Sequence, residues 1–230
     1  YDDNCHVNNG QTLSPECTYG ERGAKRKIVL FGDSHAAQWF PAMERLANQY
    51  KFELISLTKS ACASVDVPRP DQGAFKNADC EKWRENSIKR IQKLKPDAVI
   101  ISSFQHFTPP SNYPNREQWW NDGQRQLLSD LRGSSSNLIY ISDTPQPLRD
   151  IPSCLATSNV KSCNTTKKTP NVIIDGFKKI DPTPWLCSRT CPAIKDGYVV
   201  YRDGSHISVE AALGLSEQLG NALKDKGLFP

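Results

Sequence analysis

The sequence predicts an α/β domain built on a five-stranded, mostly parallel sheet with helices on both faces. Three observations carry that expectation. Short apolar runs of strand length recur along the chain, stretches with helical spacing separate them, and 230 residues with 37% hydrophobic content suffice for one core. Alternating strand and helix closes as right-handed crossovers, which makes the sheet parallel. A mean hydropathy of −0.58, with no apolar run near the roughly 18 residues of a membrane span, excludes a transmembrane segment within these residues. The net charge of +4, from 29 basic and 25 acidic residues, is mild. With no basic block longer than 25–27, nucleic acid is not an expected partner.

Each element follows in order. Residues 1–26 are rich in Asn, Gly, Asp and Thr without periodicity, which predicts an irregular lead-in tied by its own cysteine pair, ahead of a single domain over 27–230. Residues 1–10 are polar and lack a signal pattern, so any export signal or anchor is expected outside the sequence shown. Residues 27–31 form an apolar run ending in Gly32-Asp33-Ser34, the profile of a buried strand followed by a turn. Trp39, Phe40, Met43, Leu46, Ala47 and Tyr50 then recur at helical spacing, with Pro41 tolerable near a first turn. A second strand is predicted over 52–58, a loop over 59–78, and a helix over 79–95 with Ile88, Ile91 and Leu94 on one face. A third strand over 97–102, an aromatic and proline-rich loop, a helix over 116–132 and a fourth strand over 137–142 continue the alternation. Residues 143–197 read as irregular. A fifth strand over 198–201 and a helix over 208–226, with Ser208 as N-cap, close the chain.

The eight cysteines fall into four sequence-local couples. Cys187 and Cys191 have no matching pair at zinc-ligand spacing, and the four histidines do not cluster with thiols. Proximity therefore suggests disulfides Cys5–Cys17, Cys62–Cys80, Cys154–Cys163 and Cys187–Cys191, formed in an oxidising compartment.

Chemistry is expected at the carboxyl ends of the strands. Ser34 follows the first strand, and a serine hydroxyl becomes a nucleophile only beside a base that is itself oriented by an acceptor. Asp203-Gly-Ser-His206 follows the last predicted strand, and its three-residue offset lets the carboxylate fold back onto imidazole Nδ1. Ser34, His206 and Asp203 are thus the candidate catalytic residues, while Asp3-Asn-Cys-His6, a second match to the spacing, lies in the lead-in. The Ser34 N–H, Ala61 and the Gln105 amide are candidate oxyanion donors. His35, Trp39, Phe104 and His106 are candidate substrate contacts. Phe104, Phe107, Tyr113, Trp119 and Trp120 could stack on a sugar ring, although core packing accounts for the tryptophans more simply. No metal site is expected.

These residues resemble the SGNH/GDSL hydrolase superfamily, with Gly32-Asp33-Ser34 as the nucleophile block and Asp203 with His206 as the Asp-x-x-His block. Residues 31–39 (Phe-Gly-Asp-Ser-His-Ala-Ala-Gln-Trp), 57–62 (Leu-Thr-Lys-Ser-Ala-Cys) and 143–147 (Asp-Thr-Pro-Gln-Pro) look like one branch, the extracytoplasmic SGNH domain fused to a membrane-embedded acyltransferase-3 domain in bacterial O-acyltransferases. The likeness spans about residues 25 to 226. Ala61 stands where the second block has glycine, and Ser103-Phe104-Gln105 replaces the third block, so the oxyanion hole departs from the general pattern.

The resemblance implies a three-layer α/β/α domain of flavodoxin-like topology that needs no cofactor. The membrane-embedded acyltransferase-3 domain, N-terminal in the same polypeptide, would supply the acyl donor. Ser34 would pass an acyl group, usually acetyl, to a hydroxyl of a cell-envelope glycan or glycolipid at the periplasmic or cell-surface face of the cytoplasmic membrane. The isolated domain is expected to be monomeric. Two alternatives stay open: an SGNH-type esterase or glycan deacetylase using water as acceptor, and a non-catalytic glycan-binding domain.

Overall fold

Four of the five expected sheet strands form where the apolar runs place them, and the fifth does not. A computed structural model describes residues 3–113, 115–166 and 176–229. Its elements run β1 (His6–Val7), β2 (Thr18–Gly20), β3 (Lys27–Gly32), α1 (Ser34–Ala37), α2 (Phe40–Tyr50), β4 (Glu53–Lys59), α3 (Asn77–Leu94), β5 (Ala98–Ser102), α4 (Arg116–Asp130) and β6 (Leu138–Ile141). They continue as α5 (Ile151–Thr157), a 3₁₀ turn (Val160–Cys163), β7 (Thr165–Thr166), β8 (Lys178–Ile180), α6 (Thr183–Leu186), β9 (Thr190–Cys191), β10 (Ile194–Lys195), β11 (Tyr198–Val199), α7 (Val209–Gly214) and α8 (Ser216–Asp225).

Among the described residues the main sheet has seven strands in the order β1-β4-β3-β5-β6-β8, with β2 also on β4. Its central five strands are parallel and follow the doubly wound order 2-1-3-4-5. Successive side chains of a strand face opposite sides of the sheet. Ile28, Leu30, Ile100 and Ile139 therefore pack with Met43, Leu46, Leu219 and Leu223 of α2 and α8. Val29, Phe31, Ile101 and Tyr140 pack with Trp83, Ile91, Trp119 and Leu127 of α3 and α4. Two apolar layers flank one sheet, which is the three-layer architecture. Ile28, Val29, Leu30 and Phe31 are wholly buried, and each such side chain stabilises the fold by about 1.5–3 kcal/mol.

Four expectations are corrected. The lead-in contributes two short strands, β1 parallel and β2 antiparallel to β4. The fifth central strand is β8, paired with β6, while β11 forms a separate antiparallel ribbon with β10. β8 reads Lys-Lys-Ile with only Ile180 buried, so an edge strand of this kind carries no apolar run to announce it. The helix expected over 208–226 breaks at Leu215 into α7 and α8. Within the stretch expected to be irregular, α5, β7, β8, α6, β9 and β10 form, and residues 167–175 lie outside the described residues. All four cysteine couples are bonded.

Candidate active site

The order 2-1-3-4-5 reverses direction between β3 and β5, and in open parallel sheets the crevice opens beyond the strand ends at that point. Gly32 ends β3 there with φ +151°, and a Cβ on it would stand 1.9 Å from the Ser102 carbonyl oxygen of β5. Only glycine lets the two strand ends come this close. The next residue starts a helix, and its cap is Asp33 rather than Ser34: Asp33 Oδ1 accepts from the His35 N–H at 2.8 Å. The Ser34 hydroxyl is thereby spared from capping. Asp33 also accepts from the Phe104 N–H at 2.9 Å, so the nucleophile turn is tied to the loop after β5.

At the far end of the chain, Asp203 organises its own loop. Its Oδ1 accepts from the N–H groups of Ser205 (2.7 Å) and His206 (2.8 Å), and its Oδ2 accepts from His206 Nδ1–H at 2.8 Å. This fixes the imidazole so that Nε2 accepts from the Ser34 hydroxyl at 2.8 Å, across 172 residues of sequence. Gln38 Oε1 accepts from the Ile207 N–H at 2.9 Å, and the Tyr201 hydroxyl donates to the Pro145 carbonyl, so the histidine loop is held from two sides. Burial would raise the Asp203 carboxyl, yet the N–H groups and imidazole around it hold it below the usual carboxylate range. Burial and the neighbouring His35 push the His206 imidazole below its ordinary value. A neutral imidazole aimed at a hydroxyl is the state a general base requires.

A second imidazole–carboxylate pair lies beneath this one. His35 Nδ1–H donates to Asp143 Oδ1 at 2.6 Å, and Asp143 also accepts from the N–H groups of Gln105 (2.8 Å) and Thr144 (2.9 Å). The His35 ring lies 4.4 Å from that of His206 and 4.8 Å from that of Phe104, centroid to centroid. Burial alone would lower His35, but Asp143, Asp33 and Asp203 raise it above its ordinary value. Burial raises Asp33 to about 6, against the opposing pull of His35 and its N–H donors.

The remaining candidates divide. Ala61 adopts a left-handed conformation, φ +55°, the backbone region where glycine is favoured. Its carbonyl accepts from Arg69 Nη1 at 2.6 Å, and the Arg69 guanidinium sits 3.6 Å over the Phe107 ring. Phe104 is half-buried, edge-on to Phe107. His106 lies against Phe104, lowered by burial. Two expectations fail. Trp39 is wholly buried and packs edge-on against Trp185, so it is a core residue with no face for a ligand. The Gln105 side-chain amide is buried too, and its backbone N–H is committed to Asp143, so Gln105 is not placed to donate to an oxyanion. Trp119 and Trp120 are core residues as well. Among the described residues no cluster of His, Cys, Asp or Glu is arranged to hold a metal ion.

Sequence reasoning from strand ends and spacing missed Asp143, Gln38 and Arg69. Asp143 had a signal, being a carboxylate two residues beyond a parallel strand. Asp143 and Gln38 also lie in the stretches 143–147 and 31–39 that carry the family resemblance, which gave neither a role; Arg69 had no signal, because its partner Ala61 is placed by the fold.

Fold and site together define a protein of SGNH hydrolase-like architecture. The chain belongs to the family described as "SGNH domain (fused to AT3 domains)", whose model matches residues 4–221. It is similar in structure to the periplasmic domain of a lipopolysaccharide acetyltransferase from Salmonella ser. Paratyphi A, with a TM-score of 0.68 and 16% identity over 97% of this chain and 87% of that one. A putative acylhydrolase from Bacteroides fragilis shares the fold at a TM-score of 0.51 and 13% identity, covering 90% of each chain. No curated protein matches the sequence.

Proposed function

We propose that this domain is a serine-dependent O-acyltransferase that carries an acyl group, acetyl in the simplest case, as an ester on Ser34. The acceptor is a hydroxyl of a cell-envelope glycan or glycolipid on the extracytoplasmic side of the membrane, and an acyltransferase-3 domain supplies the donor. The unbroken chain of hydrogen bonds from Asp203 through His206 to Ser34 carries this reading. Membership of a family described as fused to AT3 domains, and four disulfides, support the partner and the compartment.

In the first step His206 Nε2 takes the hydroxyl proton as Ser34 Oγ bonds to the acyl carbonyl carbon. The proton then passes from Nε2 to the departing donor group, leaving acyl-Ser34. In the second step Nε2 takes a proton from the acceptor hydroxyl, whose oxygen attacks the ester, and Ser34 Oγ recovers the proton as it leaves. The Ser34 N–H, the first amide of α1 and so without an acceptor inside its helix, and the Ala61 N–H serve as oxyanion donors. Ser34 is partly exposed, so water takes the acyl group when no better acceptor is bound, which is the esterase reaction at the same site.

The test is the mass of the protein after exposure to an activated acetyl ester and to a fluorophosphonate probe. The expected result is a single adduct on Ser34, absent from Ser34→Ala, with sugar acceptors diverting acetyl from hydrolysis. An adduct that persists in Ser34→Ala, or its absence from the wild type, refutes the assignment. Acetyl release that no sugar or glycolipid acceptor diverts leaves the esterase as the function.

A further inference from the structure

The steps above use one imidazole–carboxylate pair and leave the better buried one without a task. Resting on the reading of His206 as general base, we infer that His35 and Asp143 form a positioning pair, a charged platform under His206 that keeps its ring turned to Ser34 and disfavours a proton on it between turnovers. The geometry is specific. Asp143 is held by three donors, the imidazole of His35 and the N–H groups of Gln105 and Thr144. His35 is held at both ends, its backbone N–H by Asp33 and its ring by Asp143. The ring of His35 then lies in contact with that of His206, centroids 4.4 Å apart at 42°.

Two imidazoles this close do not both carry a proton at modest cost, because like charges in contact disfavour double ionisation. Their surroundings settle which one does. His35 is faced by Asp33 at its own helix start, Asp143 after β6, Asp203 and His206 on the histidine loop, and His106 after β5. Three carboxylates outweigh burial and raise His35 above its ordinary value, which favours the proton there. His206 is faced by Asp203 and Arg202 on its own loop, His35 and Ser34 from α1, and His6 from the lead-in. One carboxylate stands against burial and the cationic His35 and Arg202, while His6 is itself neutral, so His206 stays neutral and ready to accept from Ser34. With its Nδ1–H committed to Asp143 and its ring against that of His206, His35 acts through His206.

Histidine-selective ¹⁵N NMR of the wild-type protein tests the charge assignment without any variant. At pH 7 both ring nitrogens of His35 should show imidazolium shifts while His206 shows a neutral ring, and a neutral His35 at pH 7 overturns the inference. The pH profile of fluorophosphonate labelling tests the consequence. In Asp143→Asn and His35→Gln the acid limb should move to higher pH by about one unit, a loss of about tenfold at pH values below the limb, with a much smaller loss on the alkaline plateau. A purely structural role would lower the rate by the same factor at every pH, and that result also overturns the inference. Labelling that persists in Ser34→Ala would instead sink the proposed function, while the NMR charge state of His35 is read without it.

Discussion

The pairs His206–Asp203 and His35–Asp143 join the same two functional groups in different surroundings. The first is made within one loop, three residues apart, with side chains 18% and 42% exposed. The second joins residues 108 apart, and its side chains are 3% and 1% exposed. Solvent screens the Asp203 carboxylate, so its worth lies in orientation and the pair can gain and lose a proton with little penalty. Desolvation makes the buried pair costly to break, since removing one partner strands the other. One pair is suited to moving a proton and the other to holding one in place.

Substitutions separate the two roles. His206→Ala should lower the rate of probe labelling by about 10⁴-fold or more, and Asp203→Asn by about 10²- to 10⁴-fold, with melting temperatures within a few degrees of wild type. A labelling rate unaffected by either change would erase the distinction. Asp143→Ala should destabilise the domain by about 3–5 kcal/mol in denaturant unfolding, whereas Asp203→Ala should cost about 1 kcal/mol or less. Equal losses would show that burial does not separate the pairs.

A third imidazole sharpens the contrast, because hydroxyls hold it. His6 Nδ1 is 2.9 Å from Thr58 Oγ1 and Nε2 is 3.0 Å from Ser60 Oγ. Burial, with Arg202, His206 and Lys59 nearby, pushes it down to about 4. The unfolded chain therefore binds this proton more readily than the folded one between that value and the ordinary value of about 6.5. Stability should fall as pH drops from about 6.5 towards 4, by about 1–3 kcal/mol for this group. His6→Gln, which retains hydrogen-bonding capacity without titrating, should flatten that slope in denaturant titrations at stepped pH. An unchanged slope would assign the acid sensitivity to other groups.

How far the site was legible follows the same division. The Asp203–His206 pair could be read directly because three residues of turn restrict the carboxylate to the imidazole's vicinity. The Ser34 turn was legible because Gly32 ends an apolar run and a helix pattern follows it. The His35–Asp143 pair was not, although both residues stand at strand ends, because nothing in their spacing says that β3 and β6 flank the same strand, β5. Gln105 and Trp39 misled for a related reason. A polar residue after a strand and an aromatic one after a nucleophile look like contacts until the direction of each side chain is known.

The sequence alone determined the strand and helix periods, the four cysteine couples and the local geometry of each motif, since these depend on interactions among residues close along the chain. The tertiary structure decided the strand order, the use of Lys178–Ile180 as the fifth central strand, and the meeting of the loops of Phe104, Asp143 and His206 at the turn of Asp33, Ser34 and His35. Those outcomes rest on which apolar faces bury against one another. That burial is non-directional and summed over the whole core, so no single segment encodes it.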